Sequence, residues 1–297
     1  MKKKILYIGG FQLPDKNAAA LRVMANAKAM RKCGYDVIFL NSLTKENFVE
    51  EHITSYEDFK CIEYLRENIV KYLLGCKKVL SLIQEYQISM VVAYNYPAVA
   101  LEKIRRYCKK NGIYCIADIT EWYVPVGKNS LFRILKTIDT ELRMRYVHFK
   151  LDGAIVISEF LYQYYKKRIK VVKVPPLVDL DEDKWKNDAT YKTGTGELKL
   201  IYAGSPSAQK ERLDIIVQTV EKVKKKIPVK LKVVGITRQQ YSAIYSVEYS
   251  GNAVEFSGRI PNNNVIKLTQ ISDWTIILRE KNKVVTAGFP TKVSESI

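Results

Sequence analysis

Two α/β domains, each wound around a mainly parallel sheet, are predicted by three observations. A short apolar run, Lys4-Ile5-Leu6-Tyr7-Ile8, ends at Gly9-Gly10. A second, Leu198-Lys199-Leu200-Ile201-Tyr202, ends at Ala203-Gly204. A helix-like stretch follows each, and a strand that ends in glycine before a helix is how a doubly wound domain begins. The third observation is length: 297 residues fit two domains of roughly 150 residues each. The expected division is a first Rossmann-like domain over 1–178, a polar linker over 179–197 with Gly194 and Gly196, and a second Rossmann-like domain over 198–297, the two facing a cleft.

In the first half, Asn17 caps a helix from Ala18 to about Cys33, and Gly34 ends it. A strand follows over 35–40. Residues 41–60 are polar and read as loop, and 63–86 as helical. Then come a strand at 88–94, a basic helix at 98–110, a strand at 114–117, a long basic helix at 131–150, a strand at 152–158, a tyrosine-rich helix and a strand at 171–174 that Pro175-Pro176 stops. In the second half, strands at 198–203, 229–234, 253–257 and 274–278 alternate with helices near 208–226, 237–247 and 261–270. Phe289-Pro290 precedes a helix start at Thr291. An open sheet of this kind usually has more than four strands. The second domain is therefore expected to be incomplete, with apolar faces left uncovered. A naturally compact second domain is the alternative.

Composition narrows the function. Hydrophobic residues make up 47% of the chain, enough for a core in each half. The formal net charge of +18 favours anionic partners: lipid headgroups, nucleic acid or phosphorylated substrates. No nucleic-acid recognition motif or base-stacking signature is present, so nucleic acid is not the expected partner. The five cysteines are odd in number and form no CxxC pair, which implies a reducing, cytoplasmic setting without disulfides or a zinc site. The basic start, Met1-Lys2-Lys3-Lys4, leads into only four apolar residues, a strand rather than a signal peptide. No apolar stretch approaches eighteen residues, so none is expected to span a membrane.

The candidate residues sit at strand ends. Gly9 and Gly10 either let backbone N–H groups approach a phosphate or sugar, or form a tight turn. There is no GxGxxG and no Walker lysine, which disfavours dinucleotide and P-loop chemistry. Gly204-Ser205-Pro206 precedes Lys210-Glu211 at an expected helix start. A cation there opposes the helix dipole, so Lys210 is either the partner of a bound anion, such as a diphosphate, or a solvated lysine. Lys292 lies in the first turn after Pro290, Glu295 follows one turn on, and Gly258-Arg259 adds another strand end.

In this order, the features resemble the retaining, GT-B-fold glycosyltransferases of the large family-four type. Gly204 and Lys210 match that family's strand glycine and phosphate-binding lysine, and Lys292 and Glu295 its helix-start motif, whose last glutamate holds the nucleotide ribose. Gly9-Gly10 and the helix ended by Gly34-Tyr35-Asp36-Val37 match the family's opening. Asp118-Ile119-Thr120-Glu121-Trp122-Tyr123 resembles a segment of bacterial surface-polysaccharide transferases.

The resemblance covers essentially the whole chain. It implies a nucleotide-diphosphate-sugar donor held by Gly204, Ser205, Lys210, Arg259, Lys292 and Glu295, with Gly9 and Gly10 beside it. It also implies a lipid-linked saccharide acceptor, retention of configuration, and no cofactor or obligatory metal. Three departures stand out: Ala287 replaces the first of the family's paired glutamates, Ser205 replaces a frequent arginine, and the chain ends at Ile297. They keep open a second reading, a truncated nucleotide-sugar or lipid-binding relative without turnover.

Asp118 and Glu121 follow a first-domain strand. They are candidates to steady charge at an anomeric carbon or to orient an acceptor hydroxyl; the bland alternative is a helix cap and a surface acid. Trp122 and Tyr123 either stack on a sugar or pack. Asp179-Leu180-Asp181-Glu182-Asp183 carries an Asp-x-Asp pattern but reads as solvated linker. His52 and His148 read as structural or exposed. The basic-aromatic stretches 131–150 and 161–168 have the spacing of helices that either pack on the core or lie against an anionic membrane, consistent with a peripheral place on the inner face of the cytoplasmic membrane.

Overall fold

The computed structural model describes residues 3–14, 17–46, 48–66, 68–123, 130–186, 196–206, 211–294 and 296. The chain divides into two compact units, Met1–Leu177 with Thr286–Phe289, and Val178–Val285 with Pro290–Ile297.

The first unit runs β1 (Lys4–Gly9), α1 (Ala18–Lys32), β2 (Asp36–Leu43), β3 (His52–Tyr56), β4 (Phe59–Leu65), α2 (Ile69–Leu74), α3 (Lys77–Glu85), β5 (Met90–Tyr94), α4 (Ala98–Lys110), β6 (Tyr114–Ile119), α5 (Ser130–Leu142), β7 (Gly153–Val156), α6 (Glu159–Tyr165) and β8 (Val171–Lys173). Its sheet has the order β3-β4-β2-β1-β5-β6-β7-β8. All neighbours are parallel except β3 and β4.

Alternation along β1 explains how both faces are covered. Ile5 and Tyr7 pack with Val23, Met24 and Ala27 of α1, whereas Leu6 and Ile8 join a core containing Leu82 of α3 and Leu101 and Ile104 of α4. A parallel sheet buried on both sides reads as a continuous apolar run for this reason. Asn17 caps α1 as the sequence implies: its Oδ1 accepts from Ala20 N at 2.8 Å.

Two stretches differ from expectation. The polar region 41–60 is only partly loop. It holds the end of β2 and a hairpin, β3 to β4, whose two-residue turn is Glu57-Asp58 with φ of 47° and 64°. Such turns favour Asn-Gly, so the usual signal is missing, and the helix expected over 63–86 gives way to β4, α2 and α3. The basic helix expected over 131–150 stops as an α-helix at Leu142 and continues as a π turn over Arg143–Val147 and a 3-10 turn over His148–Lys150.

The second unit's sheet is built from β9 (Leu198–Ala203), β10 (Val229–Val234), β11 (Val254–Phe256) and β12 (Trp274–Thr275), in the parallel order β11-β10-β9-β12. Between them lie α7 (Leu213–Val223), α8 (Arg238–Tyr245) and α9 (Asn262–Gln270); α10 (Lys283–Ala287) and α11 (Thr291–Ser294) follow. Leu200, Tyr202, Leu231 and Val233 pack on one face against Leu213, Ile216, Val217 and Val220 of α7 and Tyr241 of α8. The other face buries Ile201 and Val234, and a groove of about 620 Å³ in this unit is lined by apolar side chains, Leu268 and Ile271 among them, together with Lys199, Lys230 and Lys232; Lys232 pairs with Glu255 at 3.1 Å.

Candidate functional site

The carboxyl ends of β9, β10 and β11 form a glycine crest in the second unit. Gly204 has φ of +136° and its N–H donates to Val234 O at 2.8 Å. Gly235 has φ of +115° and donates to Gly258 O at 2.7 Å. A Cβ on Gly235 would stand 2.4 Å from Gly204 O, so the two backbones approach as only glycine allows. In an open parallel sheet this edge is where ligands bind.

A buried carboxylate gathers cations at this crest. Glu211 is 5% exposed. Arg279 donates to its Oε1 at 3.0 Å, Lys292 to its Oε2 at 3.2 Å, and the Tyr202 hydroxyl also donates to Oε2. Glu211 and Arg279 are further joined by an isolated antiparallel bridge. The Lys292 ammonium lies 3.9 Å from the centroid of the Tyr202 ring, and a Cβ on Gly204 would stand 3.0 Å from it. Burial pushes the Glu211 carboxyl upward, but Lys292, the Tyr202 hydroxyl and Arg279 together hold it below the usual carboxylate range. Tyr202 is pushed up, first by burial and then by Glu211. The result is a lysine and an arginine that share one buried carboxylate beside a glycine strand end.

The structure places the expected donor residues unevenly. Gly204 and Lys292 come together. Ser205 is exposed, with Oγ 3.5 Å from Gly235 O, and Arg259 is exposed just after Gly258. Lys210 and Glu295 lie outside the described residues. α7 begins at Leu213 with Arg212 as its N-cap, where the sequence led to a helix from about 208. The cation at the start of α11 is accounted for by Glu211 rather than by the helix end. Glu211 and Arg279 were missed. Arg279 follows the last strand of the sheet, the same strand-end signal that singled out Arg259.

In the first unit, Gly9 is buried against a neighbouring ring. A Cβ on Gly9 would stand 2.5 Å from the ring of Phe11, which is buried and whose N–H donates to Asn41 Oδ1 at 3.0 Å. Ser42 Oγ donates to Gly9 O at 3.0 Å. Gly9 is required by Phe11, and Gly10 is exposed beside it.

Asp118 does not stand where a substrate reaches it. It is 0% exposed and is gripped by Arg22 (Nε to Oδ1 2.9 Å, Nη2 to Oδ1 2.7 Å), by Asn26 at 3.3 Å and by the Tyr7 hydroxyl. Arg22 also donates to Val174 O at 2.9 Å, so the cluster ties α1 and β6 to the segment after β8. Asp118 lies within β6, in a sheet buried on both faces, whereas Glu121 follows the strand and is half-buried.

Trp122 packs in the core, 2% exposed, with its indole N–H on Glu141 at 2.8 Å. His52 lies on β3, with Nε2 3.5 Å from Glu63. His148 is buried against the Tyr165 hydroxyl at 2.9 Å, and burial and Arg143 hold its pKa well below the usual value. Ala287 is buried in this unit's core, and its carbonyl accepts from Ser158 Oγ at 2.8 Å. Among the described residues, no group of three or more His, Cys, Asp or Glu is arranged to hold a metal ion, and no helix is long and apolar enough to cross a membrane.

The sequence matches no family profile and no curated protein. Solved structures are similar in fold. A trehalose-6-phosphate synthase studied for glycosyl transfer with retention aligns over 98% of this chain and 80% of its own, with 10% identity and a TM-score of 0.60. Sucrose-phosphate synthase from Thermosynechococcus elongatus aligns over 93% and 75%, with 13% identity and a TM-score of 0.59. The catalytic domain of starch synthase IV from Arabidopsis thaliana, bound to ADP and acarbose, aligns over 93% and 78%, with 8% identity and a TM-score of 0.61. At such identities the likeness is one of fold, and the fold of this chain is the GT-B fold of glycosyltransferases.

Proposed function

We propose that this chain is a glycosyltransferase of the retaining, family-four type. It would move a sugar from a nucleotide-diphosphate donor on the second unit to a lipid-linked or other saccharide acceptor on the first, in surface-polysaccharide synthesis at the cytoplasmic face of the membrane. The observation that carries the reading is the pairing of Lys292 and Arg279 on Glu211 beside Gly204, in a fold shared with the synthases above. Cations at that edge neutralise a departing diphosphate, which is what transfer demands of the protein when no metal supplies the charge. The bond from the anomeric carbon to the diphosphate breaks, the acceptor oxygen bonds to the same carbon, and the acceptor proton leaves with the diphosphate.

In this reading Lys210 assists the diphosphate, Glu295 holds the ribose, and Ser205 and Arg259 line the donor. Glu121 orients the acceptor.

The test is incubation of the full chain with UDP-, GDP- and ADP-sugars and a lipid-linked saccharide, following release of the nucleoside diphosphate. Acceptor-dependent release supports transfer. Ala287, a core residue where the family carries a glutamate, favours the second reading, a binding protein without turnover. Tight nucleotide binding with no release from any donor would select it.

A further inference from the structure

At the carboxyl ends of β4 and β5 in the first unit, cations gather around tyrosines. Arg66 directly follows β4, with its N–H on Leu43 O at 2.8 Å. Its guanidinium lies 4.8 Å from the centroid of the Tyr72 ring, and the Lys136 ammonium lies 5.4 Å from the same centroid. One aromatic ring thus draws two like charges together, its negative face offsetting part of their repulsion. Tyr72 packs 6.4 Å from Tyr96, which hydrogen-bonds Tyr64, so three tyrosines stand side by side.

A third cation lies behind them. Arg143 is 5% exposed and donates to Asn95 O at 2.5 Å, and its Nε is buried without a hydrogen-bond partner among the described residues. Asp139, a buried acid of the same region, is engaged with the Ala98 N–H at 2.8 Å at the start of α4. The imbalance shows on Lys136. Burial, and then Arg143 and Arg66, press its pKa below the usual lysine value against the opposing pull of Asp139 and Glu121. Arg66, Tyr72 and Lys136 are each only half-buried, so a ligand can reach them.

We infer that Arg66, Tyr72 and Lys136 form a subsite for an anionic saccharide, with the two cations on its carboxylate or phosphate and the tyrosines against its ring. The inference rests on the reading of the first unit as the acceptor side, and it gives the acceptor a chemical class: a sugar bearing a negative charge.

The test uses the full chain without any donor, titrated with D-glucose, D-glucuronate, D-glucose 6-phosphate and inorganic phosphate, and followed by the ring resonances of isotope-labelled tyrosine. At least one charged sugar is expected to bind about tenfold or more tighter than glucose, the scale of one charge-assisted contact. Comparison of glucuronate with glucose 6-phosphate tells which charge is selected. Arg66→Met and Lys136→Met are expected each to lower that affinity about fivefold or more and to leave glucose binding unchanged. Equal affinity for glucose and both charged sugars in the unaltered protein would overturn the inference without any variant. So would a preference that survives in the double variant, or inorganic phosphate binding as tightly as the sugar phosphate. Because no donor is present, a chain that transfers nothing can still show the preference. Transfer to neutral acceptors without the preference would sink the subsite and leave the transferase reading standing.

Discussion

The two units each bury a carboxylate against an arginine and a tyrosine, and the two clusters differ in one respect. Asp118 is sealed: its side chain is 0% exposed and that of Arg22 only 3%. Glu211 is nearly as buried, at 6%, but its partners open outward, Lys292 at 12% and Arg279 at 21% exposed. Asp118 lies within β6, whereas Glu211 lies beside the positive-φ glycines 204 and 235 at the strand ends. The same chemistry is an internal rivet in one unit and a pair of partly exposed cations at strand ends in the other. Burial of the acid does not distinguish them; the exposure of its cations does.

The sharpest way to break this contrast is to remove each acid. Asp118→Ala leaves Arg22 charged and sealed, and removing one partner of a buried pair costs about 3–5 kcal/mol. The first unit's urea midpoint should fall accordingly. Glu211→Ala should cost less, about 1–3 kcal/mol, because Lys292 and Arg279 can turn to water. Equal losses in the two variants would erase the distinction.

Acid titration sharpens it further. The Glu211 pKa is lowered in the folded protein, so the unfolded chain binds the proton more readily. The stability that this group contributes is complete above the unfolded carboxylate pKa of about 4.3 and is lost as pH falls through the lower folded value, with a slope of at most about 1.4 kcal/mol per pH unit. Glu211→Gln should flatten that limb of the second unit's unfolding curve. An unchanged slope would show that the carboxylate is not ionised by its neighbours.

Much of the framework was legible in the sequence. Asn17 and Gly34 bracket α1, and β9 and β10 keep the limits expected from their apolar runs. The hairpin was not, because Glu57-Asp58 is an uncharacteristic pair for a turn with two positive φ values. The clusters were illegible for another reason. Arg22 and Asp118 are 96 residues apart, and Arg279 and Glu211 are 68 apart, and no local pattern records which distant side chains meet. Asp118 and Glu121 look alike as acids after a strand, and only the strand's last residue decides which of them is inside. Among the expected donor residues, Gly204 and Lys292 were singled out by strand-end glycine and helix-start position, and the structure brings these two together. The acid that pairs with Lys292 lay unread in Lys210-Glu211.

Lys292→Met should cost only about 1 kcal/mol of stability, since it removes the ammonium from Glu211 and from the Tyr202 ring but leaves Arg279 and the Tyr202 hydroxyl on the carboxylate. Its effect belongs in ligand binding, and there the central claim is most exposed. Calorimetric titration of the full chain with UDP, GDP and ADP should give saturable binding of at least one of them. Lys292→Met should weaken that binding about tenfold or more, in keeping with the loss of a hydrogen bond to a charged group. Binding of the same strength in the variant, or no binding of any of the three to the unaltered protein, would contradict the assignment of the glycine crest to a nucleotide diphosphate.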